Sequence, residues 1–474
     1  MSKVGNSGSL SNLIMIPRRL PRRERLIILV AVALLIAYFS FSSHTITVIS
    51  EYTSNANLDP WKPPKHSGPG LKIALVNTPR YHFEVVTPLL YAFANQGDAV
   101  EHLELFATEY GSTRLGVRPI LDNQLPTDSS WLSRWSGKKG TQKQVKVSDP
   151  RLLSQMNFVA DVMILTSCSR DLEWSSIKDK KVYNPEWYRA PKEIVCLLHE
   201  AEEWEAIDTN WRKFLMPWVE KGRVTFMTLS PHVAEYVRQN IETKWKMAPI
   251  LRDAQGIGNR GVFMMEPFIP IFEDNKLFRE EMFNNITGPF AAIPGKYEPF
   301  RRNYKAIFEH MSKHLDLISS TNATLRLPGY GDWPPEIPEQ LKDRVFMHSH
   351  YDFPEYFSLL SRSMAILPAF ATHKYFEDRA SSTIATSVIA GVPLVATKEL
   401  VEKYAYIEAD GAWLQEDGEE EIVTWLRVLK LGKEEWESRK RKVRALRTRL
   451  IRQNLRNVGE LLDQVRWRNK ARGF

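Results

Sequence analysis

Short apolar segments alternate with segments of helical periodicity from Leu71 almost to the end of the chain. Runs such as "LKIALVN", "DVMILTS" and "EIVCLL" are apolar along most of their length instead of alternating with polar residues. A strand of this kind is buried on both faces, as in a parallel sheet that helices cover on each side. The pattern therefore predicts an α/β fold built from doubly wound parallel sheets.

The alternation is interrupted once, in a segment at 250–276 that contains glycines and prolines, and then resumes. The interruption predicts two tandem Rossmann-like domains, at 71–265 and 266–432, which suits a chain of 474 residues. Ligands of doubly wound sheets bind at the carboxyl ends of the strands. We therefore expect the functional site in the cleft between the two domains.

The N-terminal segment 26–49 carries no charged residue, and most of it is apolar. As a helix it is long enough to cross ~30 Å of hydrocarbon. Six basic residues and one acidic residue precede it, so the positive-inside rule places the tail 1–25 in the cytosol and the body in the lumen. The prediction is a single-pass type II protein of the Golgi or ER membrane, with an extended stem at 50–70.

A cleaved signal peptide is the alternative for this segment, but the long leader and the lack of a small-x-small cleavage site disfavour it. Lumenal placement is compatible with two glycosylation sequons, which begin at Asn285 and Asn322. The only cysteines, Cys168 and Cys196, fall in segments predicted as buried strands. We expect two core thiols there and no disulfide.

The net charge of +8 is concentrated at the C-terminus, where 433–474 contains 14 Lys and Arg against 5 Asp and Glu. The remainder is close to neutral, which makes nucleic acid a poor candidate partner. Apolar residues recur at near-helical intervals in the same segment. They predict an amphipathic helix that docks on the body, with its basic face in solvent or near anionic lipid.

The segment "RASSTIATSVIAGVP" predicts a helix whose start is rich in hydroxyl groups. Gly391 can take the left-handed conformation that ends a helix. At the other end, free N–H groups beside Ser381, Ser382 and Thr383 form a potential anion site. The alternative is that these three residues only cap a buried helix.

Four more motif segments accompany this helix in the second half of the chain. They are "IPGKYEPFRRNYKAI", "LRLPGYGDWPPEIPEQL", "RVFMHSHYDFPEYFSLLSRSMAILPAF" and "GAWLQEDGEEEIVTWLRVL". In their order along the chain, these five segments resemble the nucleotide-sugar-binding domain of GT-B fold glycosyltransferases, in particular the family called glycosyl transferases group 1. The resemblance implies the GT-B arrangement of two domains and an enzyme that needs neither a metal nor a cofactor, its nucleotide sugar being a substrate.

In that family two Glu residues, separated by seven positions, contact the donor sugar and the ribose, and the helix start meets the diphosphate. The resemblance places Asp378 at the first position and Thr386 at the second, where the acid is missing. A Thr hydroxyl can still bind a ribose hydroxyl, but without the charge-assisted bond. This departure leaves open a degenerate, catalytically inactive member of the fold.

Transfer from a nucleotide diphosphate creates negative charge on the leaving group, which a fold without a metal must meet with cations and helix N–H groups. Lys296, Arg301 and Arg302 are the predicted cations, and a solvated basic helix start is the alternative. No Asp-x-Asp triplet occurs in the chain, and we predict no metal site.

His199 and Glu200 follow the apolar strand "EIVCLL", at the edge that faces the predicted cleft. A His there can position an acceptor hydroxyl or take its proton, and Glu200 can orient it. A structural His is the alternative, and His82 is a second candidate. The chain is thus predicted to be a membrane-anchored glycosyltransferase that moves a sugar from a nucleotide sugar to a glycan, protein or lipid. The alternative is an inactive GT-B-like subunit of a membrane complex.

Overall fold

The computed structural model describes most of the chain from residue 68 onward. The described residues are 68–79, 81–107, 146–156, 158–176, 191–206, 209–242, 244–245, 262–273, 278 and 280–473. All of them belong to one compact unit, Trp61–Phe474. The predicted tail, the predicted span at 26–49 and almost all of the stem lie outside them. No described helix combines the length and the hydropathy that a bilayer crossing requires.

Seven parallel strands form the first sheet, in the order β3-β2-β1-β4-β5-β6-β7. Their bounds are β1 Leu71–Asn77, β2 Val100–Ala107, β3 Lys146–Ser148, β4 Val162–Leu165, β5 Glu193–Leu198, β6 Val224–Thr228 and β7 Val262–Met264. The helices of this domain are α1 Phe83–Ala94, α2 Cys168–Ser176, α3 Asn210–Val219 and α4 Pro231–Asn240. Leu89 of α1 packs on one face of the sheet, and Leu172 of α2 and Leu215 of α3 pack on the other. This two-sided cover explains why the strands are apolar throughout.

The second domain repeats this architecture with shorter strands. Its sheet has the order β11-β10-β8-β12 with β9 beside β10, and an Ile366–Leu394 bridge leads on to the pair β13-β14. The strands are β8 Phe290–Ala292, β9 Gly295–Lys296, β10 Thr324–Tyr330, β11 Val345–Ser349, β12 Ala365–Ile366, β13 Val395–Ala396 and β14 Trp413–Leu414. The helices are α5 Tyr304–Lys313, α6 Leu315–Ser320, α7 Phe353–Arg362, α8 Ser382–Ala390, α9 Lys398–Lys403 and α10 Glu421–Leu429. The prediction of two tandem, doubly wound parallel sheets is confirmed.

The sequence pattern predicts helices over 335–343, over 203–222 and from 84 to 97, and the structure differs from all three predictions. The segment "PEIPEQLKD" contains only a 3-10 turn, Glu339–Leu341, because Pro335 and Pro338 remove backbone donors and restrict the residues before them. The helix predicted over 203–222 is divided into a 3-10 turn at Ala201–Trp204 and α3. Helix α1 ends three residues before Gly97, which has a left-handed φ of 57° and starts a 3-10 turn.

The prediction of two free core thiols is wrong, because Cys168 and Cys196 form a disulfide, with Cα atoms 5.1 Å apart. Cys196 lies in β5 and is the register partner of Leu165 in the adjacent β4. Cys168, however, begins α2 instead of continuing the strand. The chain turns between β4 and α2, and this turn brings the first residue of the helix beside the neighbouring strand.

The predicted C-terminal helix is confirmed as α11, Lys433–Ala471, and it packs on both domains. Leu446 and Leu450 join an apolar cluster of the second domain. Further along, Val458 and Leu462 join the cluster that covers one face of the first sheet. One helix therefore contributes to the cores of both domains.

The expected solvated basic face of α11 is wrong for Lys440, Arg447 and Arg468, which are buried. The Arg468 guanidinium donates to both carboxylate oxygens of Glu193 at 2.9 Å. Arg472 donates to the same carboxylate at 2.8 Å. A carboxylate inside an apolar core requires such partners, and sequence spacing does not reveal them.

We expect Arg468→Ala to lower the free energy of unfolding by about 3 kcal/mol, the low end of the cost of breaking a buried ion pair, because Arg472 still reaches Glu193. Chemical denaturation of the 61–474 unit measures this change. Arg456→Ala, at an exposed position of the same helix, is the control and should change stability by less than about 0.5 kcal/mol. Equal denaturation midpoints for the two variants would show that the buried pair does not stabilise the docking of α11.

Candidate functional site

The carboxyl edges of the two sheets meet at the residues that follow β5 and the loop that precedes α8. The Arg379 guanidinium donates to the carboxylate of Glu200 at 3.0 Å. The backbone N–H of Ala201 donates to the carbonyl of Asp378 at 2.8 Å. His232, at the start of α4, contacts the carbonyl of Arg379 through Nε2 at 3.1 Å. The two domains are therefore in direct contact beside the predicted cleft residues.

His199 lies at this edge, but Glu200 does not orient it as predicted. The Nε2 atom of His199 lies 2.8 Å from the carbonyl oxygen of Thr166, and since a carbonyl only accepts, this nitrogen carries the proton. Glu200 instead pairs with Arg379. Burial and the neighbouring His82 hold the pKa of His199 well below its ordinary value. The imidazole is therefore neutral at pH 7, with its tautomer set by Thr166.

Helix α8 starts in the same region with a hydroxyl cap. The Ser381 side chain accepts a hydrogen bond from the N–H of Thr383 at 3.2 Å, and the exposed Ser382 begins the helix. The helix ends at Gly391, whose φ of 70° confirms the predicted left-handed cap. Ser381 thus acts as a structural cap, as the alternative proposed, while the hydroxyl of Thr383 faces Arg302.

Arg302 is the buried cation of the site, with 4% of its surface exposed. Its Nη2 donates to the Thr383 hydroxyl at 2.5 Å and to the carbonyl of Pro294 at 3.4 Å. It forms no ion pair with a carboxylate in the described part of the chain, and its Nε has no hydrogen-bond partner there. A buried guanidinium that lacks a direct ion pair is costly, which makes Arg302 a candidate ligand for an anion, although Glu421 lies near enough for the two charges to interact.

The other two predicted cations have a partner. Glu298, whose side chain is 4% exposed, lies 2.5 Å from the Nζ of Lys296 and forms a second ion pair with Arg301. Both basic side chains are about half exposed. The structure brings Arg302 to the start of α8, whereas the charges of Lys296 and Arg301 are partly neutralised by Glu298.

Asp378 is almost fully buried beside the contact between the domains. Its exposed fraction is 2%, and its Oδ2 has no hydrogen-bond partner among the described residues. Burial raises the pKa of Asp378, and the charge of Arg379 opposes this shift. A buried carboxyl oxygen without a partner is available for a ligand hydroxyl.

Thr386 lies one turn after Thr383 on α8 and is 8% exposed. Its side chain lies near the phenol of Tyr356 on α7 and opposes the rise in the pKa of that phenol. Burial raises the pKa of Tyr356. Tyr356 carried no signal in the sequence, because nothing in a helical pattern distinguishes it from an ordinary packing residue. The position that is Glu in the family named above is therefore a buried Thr beside a tyrosine here.

Sequence reasoning also missed Glu298 and Glu84. Glu298 is two residues after Lys296 and three before Arg301, a spacing that could have suggested an acidic partner for both. Glu84 contacts His82, with Oε1 and Nδ1 3.3 Å apart. In the described ranges no cluster of three or more His, Cys, Asp or Glu has a metal-binding arrangement, and independence of a metal remains a prediction.

No protein-family model matches this chain, and no curated protein sequence matches it. Similar solved structures include a trehalose-6-phosphate synthase, with TM-score 0.48 and 10% identity over 83% of this chain and 99% of that one. Another is Anabaena Alr3699/HepE in complex with UDP and glucose, with TM-score 0.47 and 11% identity over 83% and 100%. A third is the pneumococcal O-GlcNAc transferase GtfA with UDP and GlcNAc, with TM-score 0.41 and 13% identity over 66% and 59%. The assignment of the two-domain GT-B fold depends on the strand orders and facing carboxyl edges described above.

We expect Thr386→Glu to lower the free energy of unfolding by about 2 kcal/mol or more, since an unpaired buried polar group costs about 1–3 kcal/mol and a charge costs more. Thermal and chemical unfolding measure the change. Thr386→Ser keeps the hydroxyl that meets Tyr356 and is the matched control. A stable Thr386→Glu protein that binds UDP more tightly would instead place this residue on the open wall of the cleft.

Proposed function

We propose that this chain is a glycosyltransferase that moves a sugar from a nucleotide-sugar donor to a glycan, protein or lipid acceptor without a metal ion. The observation that carries the proposal is the buried guanidinium of Arg302 at the start of α8, which forms no direct ion pair with a described residue. A diphosphate supplies the missing negative charge, and the first N–H groups of the helix favour the same ligand. Arg302 is also one of the cations implied by the sequence resemblance.

The unpartnered oxygen of Asp378 supports the same proposal. In the family that the sequence resembles, the residue at this position contacts the donor sugar. In this proposal the diphosphate binds at Arg302 and the sugar at Asp378, both in the second domain, and His199 lies at the edge of the first domain. The negative charge that develops on the leaving diphosphate then meets a cation already in position, which is how a fold stabilises this transition state without a metal.

Nearby Glu421 does not cancel the charge of Arg302. Both carboxylate oxygens of Glu421 accept from the N–H of Ala369 at 3.0 Å. Burial raises the pKa of Glu421 to about 7, while the Ala369 hydrogen bond and the charge of Arg302 oppose the shift. At neutral pH this carboxyl group is therefore ionised only in part, and Arg302 remains available for an anion.

We also propose that the body lies in the lumen of the ER or Golgi, behind an N-terminal membrane anchor. The disulfide between Cys168 and Cys196 supports this placement, because such bonds persist in oxidising compartments and are rare in the cytosol. Exposure of Asn285 and Thr287 makes the first sequon accessible to a glycan. These observations agree with the topology expected from the charge bias around 26–49.

A second candidate function is a catalytically inactive GT-B-like subunit. The burial of Thr386 beside Tyr356 favours it, because the acid that binds the ribose in the family that the sequence resembles is absent here. Binding of nucleotides distinguishes the two candidates. An inactive scaffold has no requirement to keep a diphosphate site.

Isothermal titration of the 61–474 unit with UDP and GDP tests the donor site. Arg302→Ala should weaken binding by about tenfold to a hundredfold, because a charge-assisted bond contributes about 1.5–3 kcal/mol. Lys296→Ala should weaken it less, since its charge is partly neutralised by Glu298. Lys305→Ala, whose side chain is 88% exposed, is the control and should leave affinity unchanged. No binding of either nucleotide to the parent, or equal affinity for parent and Arg302→Ala, would contradict the proposed function.

Expression of the full chain in a eukaryotic cell tests the lumenal placement. Asn285 should carry a glycan, so Asn285→Gln should lose the mobility shift that an N-glycosidase produces in the parent. The adjacent Asn284→Gln, which leaves the sequon intact, is the matched control. Asn322 is a poorer site, because its side-chain oxygen accepts from Arg344 at 3.0 Å and Thr324 is buried. Identical mobility of the parent before and after glycosidase treatment would count against a lumenal body.

A further inference from the structure

His82 packs against His199 at the carboxyl edge of the first sheet. The two imidazole rings are stacked, with centroids 3.9 Å apart and planes inclined by 23°. The Nδ1 atom of His82 lies 3.3 Å from Oε1 of Glu84. Burial alone raises the pKa of Glu84, but the hydrogen bond and charge of His82 oppose it and leave this pKa below its ordinary value. Glu84 is therefore an ionised acceptor to which Nδ1 of His82 donates, and Nε2 is the ring nitrogen that this contact leaves unengaged.

The backbone holds His82 in an uncommon conformation. Its φ is 68°, in the left-handed region, immediately before α1. Two contacts support the loop that ends there: the side-chain amide of Asn77 donates to the carbonyl of Tyr81 at 3.2 Å, and the carbonyl of His82 accepts from Val85 and Val86. Residues kept in sparsely populated conformations cluster at functional sites. A structural cap alone does not require an imidazole at this position.

The side chains of His82 and Glu84, which we call the His82–Glu84 dyad, are both partly exposed. The exposed fractions of His82 and Glu84 are 29% and 33%. The charge of Glu84 acts on Tyr356 of α7, which belongs to the opposite domain. The nearby His199 has its Nε2 proton committed to Thr166, and Glu200 is committed to Arg379. Among the described groups at this edge, the His82–Glu84 dyad thus combines an available ring nitrogen with a carboxylate that orients it.

We propose that His82, oriented by Glu84 and supported by the ring of His199, is the base that takes the proton from the acceptor hydroxyl. The proposal rests on the proposed glycosyltransferase function. In the reaction, the acceptor oxygen bonds to the anomeric carbon of the sugar and its proton passes to Nε2 of His82. The bond from that carbon to the diphosphate oxygen breaks, and its electron pair leaves with the nucleoside diphosphate. Glu84 stabilises the imidazolium that forms, and His199 is a positioning residue.

The test measures release of nucleoside diphosphate from UDP-glucose, UDP-N-acetylglucosamine and GDP-mannose by the 61–474 unit, with water as the acceptor. His82→Asn should lower the rate by about a hundredfold or more while UDP affinity changes by less than about twofold, because general base catalysis contributes about 10²–10⁴-fold. Asn tolerates the left-handed backbone and can still donate to Glu84, so a merely structural role would leave the rate unchanged. Glu84→Gln keeps the hydrogen bond without the charge and should reduce the rate less.

Chemical rescue provides a second readout that does not depend on the fold of one variant. Gly also accepts a φ of 68°, and His82→Gly leaves a space beside His199. Added imidazole should therefore restore part of the rate of His82→Gly. His102→Asn is the matched control, because His102 contacts Glu104 at 3.2 Å in the same way but near the amino end of β2.

The outcomes separate the two proposals. His82→Asn with the parent rate, or His82→Gly without rescue by imidazole, overturns the role of His82 and leaves the donor site at Arg302 untouched. A parent that binds UDP but releases no diphosphate from any of the three donors overturns the catalytic role and favours the inactive subunit. A parent that binds neither UDP nor GDP removes the proposed function itself.

Discussion

A buried ion pair at the base of the first sheet holds α11 on the first domain, and the arrangement of the two domains depends on this helix. Glu193 starts β5 inside the core and accepts from Arg468 and Arg472 at the far end of α11. Earlier in the same helix, Leu450 packs into the second domain. A carboxylate in that position is stable only with its guanidinium partners. The C-terminal end of α11 is thereby attached to the first domain, while its earlier turns pack in the second domain.

Charged side chains also connect the two domains at the cleft. With the carboxyl edges in contact, Glu200 and Arg379 pair with each other across the domains. Arg302 and Asp378 are buried and form no ion pair with a described residue, although Glu421 lies near Arg302 and Arg379 lies near Asp378. The paired charges connect the two domains, whereas Arg302 and Asp378 do not take part in this connection. In the proposed function, Arg302 binds the diphosphate and Asp378 binds a sugar hydroxyl.

The sequence placed His199 correctly at the carboxyl edge of the first sheet but did not predict which residues it contacts. The position of His199 after an apolar strand was sufficient to place it at the carboxyl edge, because strand ends in a parallel sheet share one edge. Its contacts with Thr166 and His82 depend on neighbouring strands and on a left-handed turn that no periodicity indicates. We expected Glu200 to contact His199 because the two residues are adjacent in the sequence. Successive residues in extended structure point in opposite directions, and Glu200 instead meets Arg379.

By itself, the sequence determined the α/β class, the two sheets, the amphipathic C-terminal helix and the hydroxyl-rich helix start with its end at Gly391. Each of these depends on local periodicity or on the conformational freedom of one residue, which neighbouring positions encode. Only the tertiary structure decided that Cys168 meets Cys196, that Glu298 pairs with Lys296 and that Tyr356 lies beside Thr386. These contacts join side chains through strand order, helix packing and loop turns, so burial and pairing of charge are properties of the folded chain and not of any single segment.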